Sequence, residues 1–122
     1  MAKVLIIEDD PFLLKLYQEI IADIGLEVEE AVDGEIGLKK VKDNKPDLIL
    51  LDIMLPKING LDVLEKLKEG QSTKDIPVFV ITNLASEDDK KRALGLGADR
   101  YMIKSEYDPN QVVALVKELL NK

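Results

Sequence analysis

Short apolar runs rich in β-branched residues alternate with amphipathic stretches along the whole chain, and this alternation limits the fold more than any other feature. Runs of this kind, bounded by turn residues, are typical of β-strands. They occupy positions 4–7, 26–31, 48–51, 78–81 and 99–103. The third and fourth runs are continuously apolar, which indicates strands buried on both faces of a parallel sheet. The second run alternates with acidic residues, so we place it at a sheet edge.

Helix-length segments lie between the predicted strands, and their ends contain the residues that start and stop helices. In the first segment, Asp10 is the expected N-cap, Pro11 takes the first helical position and Gly25 ends the helix. The second and third helices are predicted over about 35–42 and 61–68. Because Asp10 is a ready helix cap, we assign it to capping and not to a functional site.

The fourth and fifth helices have equally clear signals. Ser86 is a predicted N-cap followed by three acidic residues, which the helix dipole favours at this end. Gly95 and Gly97 are expected to form the C-cap and the turn into the fifth strand. The fifth helix follows Asp108, and its apolar residues are expected to face inward. These residues are Val112, Val113, Leu115, Val116, Leu119 and Leu120.

Five consecutive β-α units predict an α/β fold, because a strand followed by a helix returns to a parallel neighbour in the same sheet. The expected architecture is a doubly wound five-stranded parallel sheet of order 2-1-3-4-5, a flavodoxin-like (βα)5 sandwich. The chain has 122 residues, of which 46% are hydrophobic, enough to fill one core. We therefore predict one domain over residues 1–122.

Composition excludes several classes of site. The chain has no Cys and no His, so it offers neither a thiolate zinc site nor an imidazole base, and any metal must be held by oxygen. A net charge of −7 with 4% aromatic residues argues against direct nucleic-acid contact. The apolar run near the N-terminus is too short for a membrane span or a signal peptide, which favours a cytoplasmic protein.

Acidic residues follow two strands that are neighbours in the predicted order. Glu8 and Asp9 come directly after the first strand, and Asp52 comes directly after the third. Ligands of open α/β sheets bind outside the carboxyl ends of the strands, where these side chains meet. Carboxylates in one small space repel each other, and a hard cation removes that conflict. The spacing therefore predicts a Mg²⁺ site.

Two further polar residues end the remaining strands of the predicted site. Thr82 follows the fourth strand and Lys104 the fifth. Each alone is ordinary, but a hydroxyl and an ammonium facing a carboxylate and a cation form a site for a transferred phosphoryl group. The combination of acids, Thr and Lys at four strand ends predicts phosphoryl transfer.

With these residues in place, the sequence resembles the receiver domain of bacterial two-component response regulators over its whole length. The matching motifs are VLIIEDDP, PDLILLDIMLPKING, VITN and DRYMIKS. The resemblance implies that Asp52 is the phosphoacceptor. It also implies that Glu8, Asp9, Asp52 and the carbonyl of Met54 hold Mg²⁺.

The same resemblance implies roles for three residues on the last two strands. Thr82 and Lys104 would bind phosphoryl oxygens, and Tyr101 would be an aromatic switch residue. In this family the Thr and the aromatic residue move together on phosphorylation and remodel the face made by the fourth helix, fifth strand and fifth helix. That face is the expected docking surface for a downstream protein. Because the chain has no His, the phosphoryl donor is another protein, a histidine kinase or a histidine phosphotransfer protein.

Departures from the family pattern leave alternatives open. Ser105 stands where many members have Pro with a cis peptide, so we expect a trans bond, and Glu106 could compete for Lys104. Met54 and Leu84 would flank an attacking water and slow the loss of the phosphoryl group.

The leading alternative is a receiver-fold module that binds partners without phosphorylation, and Tyr101 could be a plain core residue. A flavodoxin-like binding protein is disfavoured, because the acids after the first strand repel a flavin phosphate. A homodimer and a longer parent protein both stay open.

Overall fold

The apolar runs form one parallel sheet in the computed structural model, which describes residues 2–121. The strands are β1 (Lys3–Ile7), β2 (Glu27–Ala31), β3 (Leu48–Leu51), β4 (Val78–Thr82) and β5 (Arg100–Ile103). The helices are α1 (Pro11–Asp23), α2 (Gly34–Asn44), α3 (Gly60–Glu69), α4 (Glu87–Leu96) and α5 (Pro109–Asn121). The strand order β2-β1-β3-β4-β5 confirms the predicted order and puts the acidic strand β2 at an edge.

Two apolar cores lie on opposite faces of the sheet. Alternate residues of the central strands point to opposite sides, so Leu5 and Ile7 pack into one core while Val4 and Ile6 pack into the other. The first core is covered by α2, α3 and α4, and the second by α1 and α5. Every residue of β3 and β4 is buried, as the continuously apolar runs predict. Within residues 2–121, no helix is both long and apolar enough to cross a membrane.

The caps of α1 and α4 agree with the sequence signals. Asp10 Oδ1 accepts hydrogen bonds from the backbone N–H groups of Phe12 (3.0 Å) and Leu13 (3.4 Å), which confirms Asp10 as the N-cap of α1. Gly97 ends α4 in the left-handed conformation, with φ of +114°, where a residue with a Cβ is strained. Gly95, predicted to share this role, lies inside α4.

Two helices are longer than predicted. The second and third helices begin one residue earlier, at Gly34 and Gly60, because the caps are the preceding polar residues. Asp33 accepts from the backbone of the first turn of α2, and Asn59 does the same for α3. The helices also end one to two residues later than the apolar pattern indicates.

Four strand boundaries also differ from the prediction. The first strand begins at Lys3, one residue earlier than predicted. The second strand begins at Glu27 and not at Leu26, because the Leu26 N–H bonds back to the Ile21 carbonyl of α1. The fifth begins at Arg100, one residue later than predicted, and the fourth extends to Thr82. Thr82 therefore belongs to the strand itself and pairs with Ile103 in the register.

One predicted inward residue of α5 faces outward. Val112, Val113 and Val116 are buried as expected, but Leu119 is 37% exposed. It borders a cleft at the sheet edge with Phe79 and Arg100, where β5 offers no further neighbour to cover it. The prediction that Leu119 belongs to the core is therefore wrong.

Candidate functional site

Four strands deliver the predicted site residues to one edge of the sheet. The backbone ladder continues past the strand ends, with Asp52 N–H bonded to the Ile7 carbonyl at 3.0 Å and Lys104 N–H bonded to the Thr82 carbonyl at 2.7 Å. These bonds fix the backbones of Asp52 and Lys104 beside the neighbouring strands. The side chains that follow β1, β3 and β5, together with that of Thr82 at the end of β4, therefore lie at the carboxyl ends of the strands.

The three predicted acids form one cluster. Carboxylate oxygens of Glu8, Asp9 and Asp52 all lie within 4.8 Å of one another. Glu8 and Asp52 are buried, with 4% and 5% exposure, whereas Asp9 is exposed to solvent. The Asp10 N–H donates to Glu8 Oε2 at 3.1 Å and holds that carboxylate in place. The cluster thus has two buried members and one open to water.

Lys104 joins the two buried carboxylates. Its Nζ lies 2.9 Å from Glu8 Oε1 and 3.0 Å from Asp52 Oδ2. In the part of the chain that the structure describes, Lys104 thus pairs with these two acids and not with Glu106. All peptide bonds among residues 2–121 are trans, which confirms the expectation for Ser105. With a trans bond between Lys104 and Ser105, the Lys104 ammonium therefore still contacts Asp52, the candidate phosphoacceptor.

The electrostatics of this cluster are set by burial and by the ion pairs. Burial raises the pKa of Glu8, against the lowering effect of its hydrogen bond from Lys104. Burial alone would lower the pKa of Lys104, but hydrogen bonds to Glu8 and Asp52 outweigh that effect and raise it. The ammonium therefore stays charged, while the Glu8 carboxylate is less stable in the fold than in water.

Asp52 is held at both oxygens. The Met54 N–H donates to Oδ1 at 3.1 Å, and Lys104 donates to Oδ2. The chain then turns back toward Asp52, and a Cβ on Gly60 would collide with the Asp52 carbonyl oxygen. Glycine is thus required where α3 begins. The Met54 side chain is 54% exposed, and it is the Met54 backbone N–H that binds the acid.

Thr82 and Tyr101 both form hydrogen bonds with the backbone of Leu84. The Thr82 hydroxyl accepts a hydrogen bond from the Leu84 N–H at 3.2 Å, and the Tyr101 hydroxyl donates to the Leu84 carbonyl at 2.8 Å. Thr82 is fully buried and Tyr101 is 9% exposed. Burial raises the pKa of Tyr101, with smaller effects from Asp89 and Asp52. Tyr101 is therefore both a core residue and a hydrogen-bond donor to the loop that leads into α4.

Tyr17 is a residue near the site that sequence reasoning missed. It lies in α1 and is 3% exposed, and it lines a cavity of about 10 Å³ together with Glu8 and Asp52. Burial, with the nearby charges of Glu8 and Asp108, raises its pKa to about 12. In the sequence, Tyr17 shares one face of α1 with the apolar residues Leu14 and Ile21, and a residue on such a face is normally a core residue. Its hydroxyl is the only feature that could have drawn attention to it.

The donor set suits a hard divalent cation. Glu8, Asp9 and Asp52 offer three carboxylates within reach of one ion, and carboxylate oxygen is the ligand type that Mg²⁺ prefers. One of the three is exposed, which leaves an open side for water and for a substrate phosphoryl group. The chemistry of these residues therefore fits the predicted metal.

Comparison with known proteins agrees with this geometry. Residues 4–117 match the family model for the response regulator receiver domain. The chain belongs to the response regulator receiver domain family. Proteins of this family act in phosphorylation-dependent signalling and are phosphorylated by histidine kinases. The resemblance inferred from the motifs is therefore confirmed.

Relatives and solved structures show how far the match extends. The transcriptional regulator RpaA of Synechocystis is 38% identical over 122 residues, which cover 100% of this chain and 50% of RpaA. A CheY-like receiver domain protein from Methanospirillum hungatei has 30% identity and a TM-score of 0.91, with 99% and 94% of the two chains covered. The phosphorylated cyanobacterial phytochrome response regulator RcpA has 32% identity and a TM-score of 0.83, with 97% and 90% covered. This receiver domain spans about half the length of several curated relatives.

Proposed function

We propose that this receiver domain is a phosphorylation-activated switch in which Asp52 accepts a phosphoryl group from a phosphohistidine on a partner protein. The observation that supports this most strongly is the contact of Lys104 with both buried carboxylates, Asp52 and Glu8. An ammonium at this place holds the Asp52 carboxylate in position, and it faces the oxygens of an incoming phosphoryl group. The partner is a histidine kinase or a histidine phosphotransfer protein.

The transfer step needs alignment more than it needs a strong nucleophile. The bond between phosphorus and the histidine nitrogen breaks, a bond between phosphorus and an Asp52 oxygen forms, and the nitrogen keeps the electron pair. Phosphoryl transfer has a loose transition state, so position and charge neutralisation supply most of the catalysis. Lys104 neutralises charge, and the Thr82 hydroxyl donates to a phosphoryl oxygen.

Glu8, Asp9, Asp52 and the carbonyl of Met54 would hold Mg²⁺ in this proposal. When bound, Mg²⁺ neutralises negative charge on the transferred group. The chain's own acids have two further effects. Glu8 keeps Lys104 beside Asp52, and the exposed Asp9 leaves one side of the cluster open to the donor.

The proposed switch depends on the hydrogen bonds that Thr82 and Tyr101 both form with the backbone of Leu84. When Thr82 turns its hydroxyl toward a phosphoryl oxygen, it releases the Leu84 N–H, and the Tyr101 hydroxyl then remains as the contact to the Leu84 carbonyl. The loop before α4 can move, and α4 follows easily because Ala93 is its only buried residue. The face formed by α4, β5 and α5 then changes and binds a downstream protein.

Phosphorylation from a small acyl-phosphate donor tests the chemistry without any partner. Intact mass after incubation with Mg²⁺ is expected to show one added phosphoryl group on the wild type and none on Asp52→Asn. Removal of Mg²⁺ is expected to abolish the reaction. Equal labelling of wild type and Asp52→Asn would reject Asp52 as acceptor, and no labelling of the wild type would favour binding without phosphorylation. The cytoplasmic location and a homodimer stay predictions.

A further inference from the structure

Lys57 adopts an unusual backbone conformation in the loop that follows Asp52. Its φ is +68°, in the left-handed region where a residue with a Cβ is strained. The Lys57 Nζ lies 3.7 Å from Asp33 Oδ2. Asp33 is 5% exposed and caps α2, with its Oδ1 accepting from the Ile36 N–H at 2.9 Å. A buried carboxylate of the α2 cap is therefore paired with a lysine of the loop between β3 and α3.

A second contact joins the same two segments. A Cβ placed on Gly34, the first residue of α2, would lie 2.9 Å from the Ile58 carbonyl oxygen and 2.8 Å from Val63 Cγ2. Both distances are shorter than normal carbon contacts, so Gly34 lets the start of α2 approach the loop backbone closely. Ile58 is the neighbour of Lys57, so the ion pair and the glycine contact hold one stretch of the loop.

The loop is also tied to the phosphoacceptor. The Met54 N–H donates to Asp52 Oδ1, and the Gly60 N–H donates to the Ile53 carbonyl at 2.8 Å. The first part of the loop thus contacts Asp52, whereas its later part, Lys57 and Ile58, contacts Asp33 and Gly34. A shift of this later part therefore changes where the Met54 backbone lies relative to the acids.

We propose that Asp33 and Gly34 brace the loop between β3 and α3 through Lys57 and Ile58, and that this brace positions the Met54 backbone for Mg²⁺ binding beside Asp52. The inference rests on the proposed function, because it assumes that the acid cluster holds Mg²⁺. Lys57 and Gly34 are positioning residues, since neither belongs to the cluster. The left-handed backbone of Lys57 lies in the stretch of the loop that Asp33 and Gly34 contact, as expected for strain that the surrounding structure maintains.

The affinity for Mg²⁺ alone, measured by calorimetric titration, tests the ion pair. Lys57→Met and Asp33→Asn are each expected to weaken binding roughly three- to tenfold, less than the loss for a residue that touches a metal ligand. Asn still caps a helix, so Asp33→Asn keeps α2. The double variant should bind no more weakly than either single variant. Lys57→Arg should retain wild-type affinity, and so should Lys39→Met, which removes an exposed lysine of α2.

Two further measurements separate positioning from general stability. Lys57→Met is expected to reduce the Mg²⁺-induced rise in Tm more than the Tm of the metal-free protein, and to speed hydrogen exchange of the loop amides. Gly34→Ala should also weaken Mg²⁺ binding, whereas Gly95→Ala, with open space around it, should not. Unchanged affinity in Lys57→Met overturns the brace alone. A wild type that binds no Mg²⁺ overturns the brace and the proposed metal site together.

Discussion

Replacing Lys104 with Met removes the cation that Glu8 and Asp52 share. Breaking a buried ion pair costs about 3–5 kcal/mol, because the remaining charge is uncompensated. The Lys104 side chain is 16% exposed, so water reaches the cluster and a loss of about 2–3 kcal/mol is expected. In a chain of this length, each kcal/mol of lost stability lowers the Tm by about 3–6 °C, so the expected fall in Tm is about 6–18 °C.

The loss should depend on pH in a defined direction. Without the ammonium, the folded-state pKa of Glu8 rises further above its ordinary value of 4.5. A carboxyl whose pKa is raised by folding stabilises the fold below the unfolded pKa and loses that contribution as pH rises. At a pH near 4.5, the ordinary pKa of Glu8, the variant should therefore be about as stable as the wild type. At neutral pH it should be clearly less stable. Added Mg²⁺ should restore part of the difference.

Thermal unfolding of metal-free Lys104→Met and wild type across this pH range, followed by circular dichroism, measures the effect. Lys39→Met is the matched control, because Lys39 forms an exposed pair with Asp43 that contributes at most about 0.5 kcal/mol. If Lys104→Met and Lys39→Met have the same Tm at neutral pH, the Lys104 ammonium does not stabilise the fold through the two buried carboxylates.

Three further perturbations test separate parts of the site. Glu8→Gln should raise the Tm of the metal-free protein at neutral pH, because burial disfavours the carboxylate, and should abolish the Mg²⁺-induced rise; a lower Tm would contradict this. Tyr101→Phe should cost about 0.5–1.5 kcal/mol in denaturant unfolding through loss of the hydrogen bond to Leu84, with phosphorylation by intact mass unchanged. The phosphorylated wild type should have a half-life severalfold longer than the Met54→Asn, Leu84→Ala double variant, and equal half-lives would reject shielding by these side chains.

Sequence patterns predicted the sheet because the fold depends on patterns that are local. The continuously apolar runs indicated the central strands, and the acidic alternation at 26–31 indicated an edge. Strand ends in a parallel sheet share one side, so Glu8, Asp52 and Lys104 could be placed together before any distance was known. The observed ends of helices and strands differ from the predicted ones where a capping residue or a hydrogen bond to another element sets the boundary. The hydrogen bond from the Leu26 N–H to α1 is one example.

Contacts made by loop backbones could not be predicted in this way. The hydrogen bond from Tyr101 to the Leu84 carbonyl depends on the path of the loop after β4, and no residue pattern encodes that path. The pairing of Asp33 with Lys57 likewise joins two loops across the sheet edge. The contacts of Tyr101 with Leu84 and of Asp33 with Lys57 both arise from tertiary structure, where sequence separation no longer reports distance.

In the proposed function, a phosphoryl group on Asp52 changes the face formed by α4, β5 and α5. Hydrogen exchange measured by mass spectrometry on wild type and Asp52→Asn, each with and without Mg²⁺ and an acyl-phosphate donor, tests acceptor and switch together. We expect altered exchange from Leu84 through α4 only in the treated wild type. Identical exchange in phosphorylated and unphosphorylated wild type, or the same change in Asp52→Asn, would contradict it.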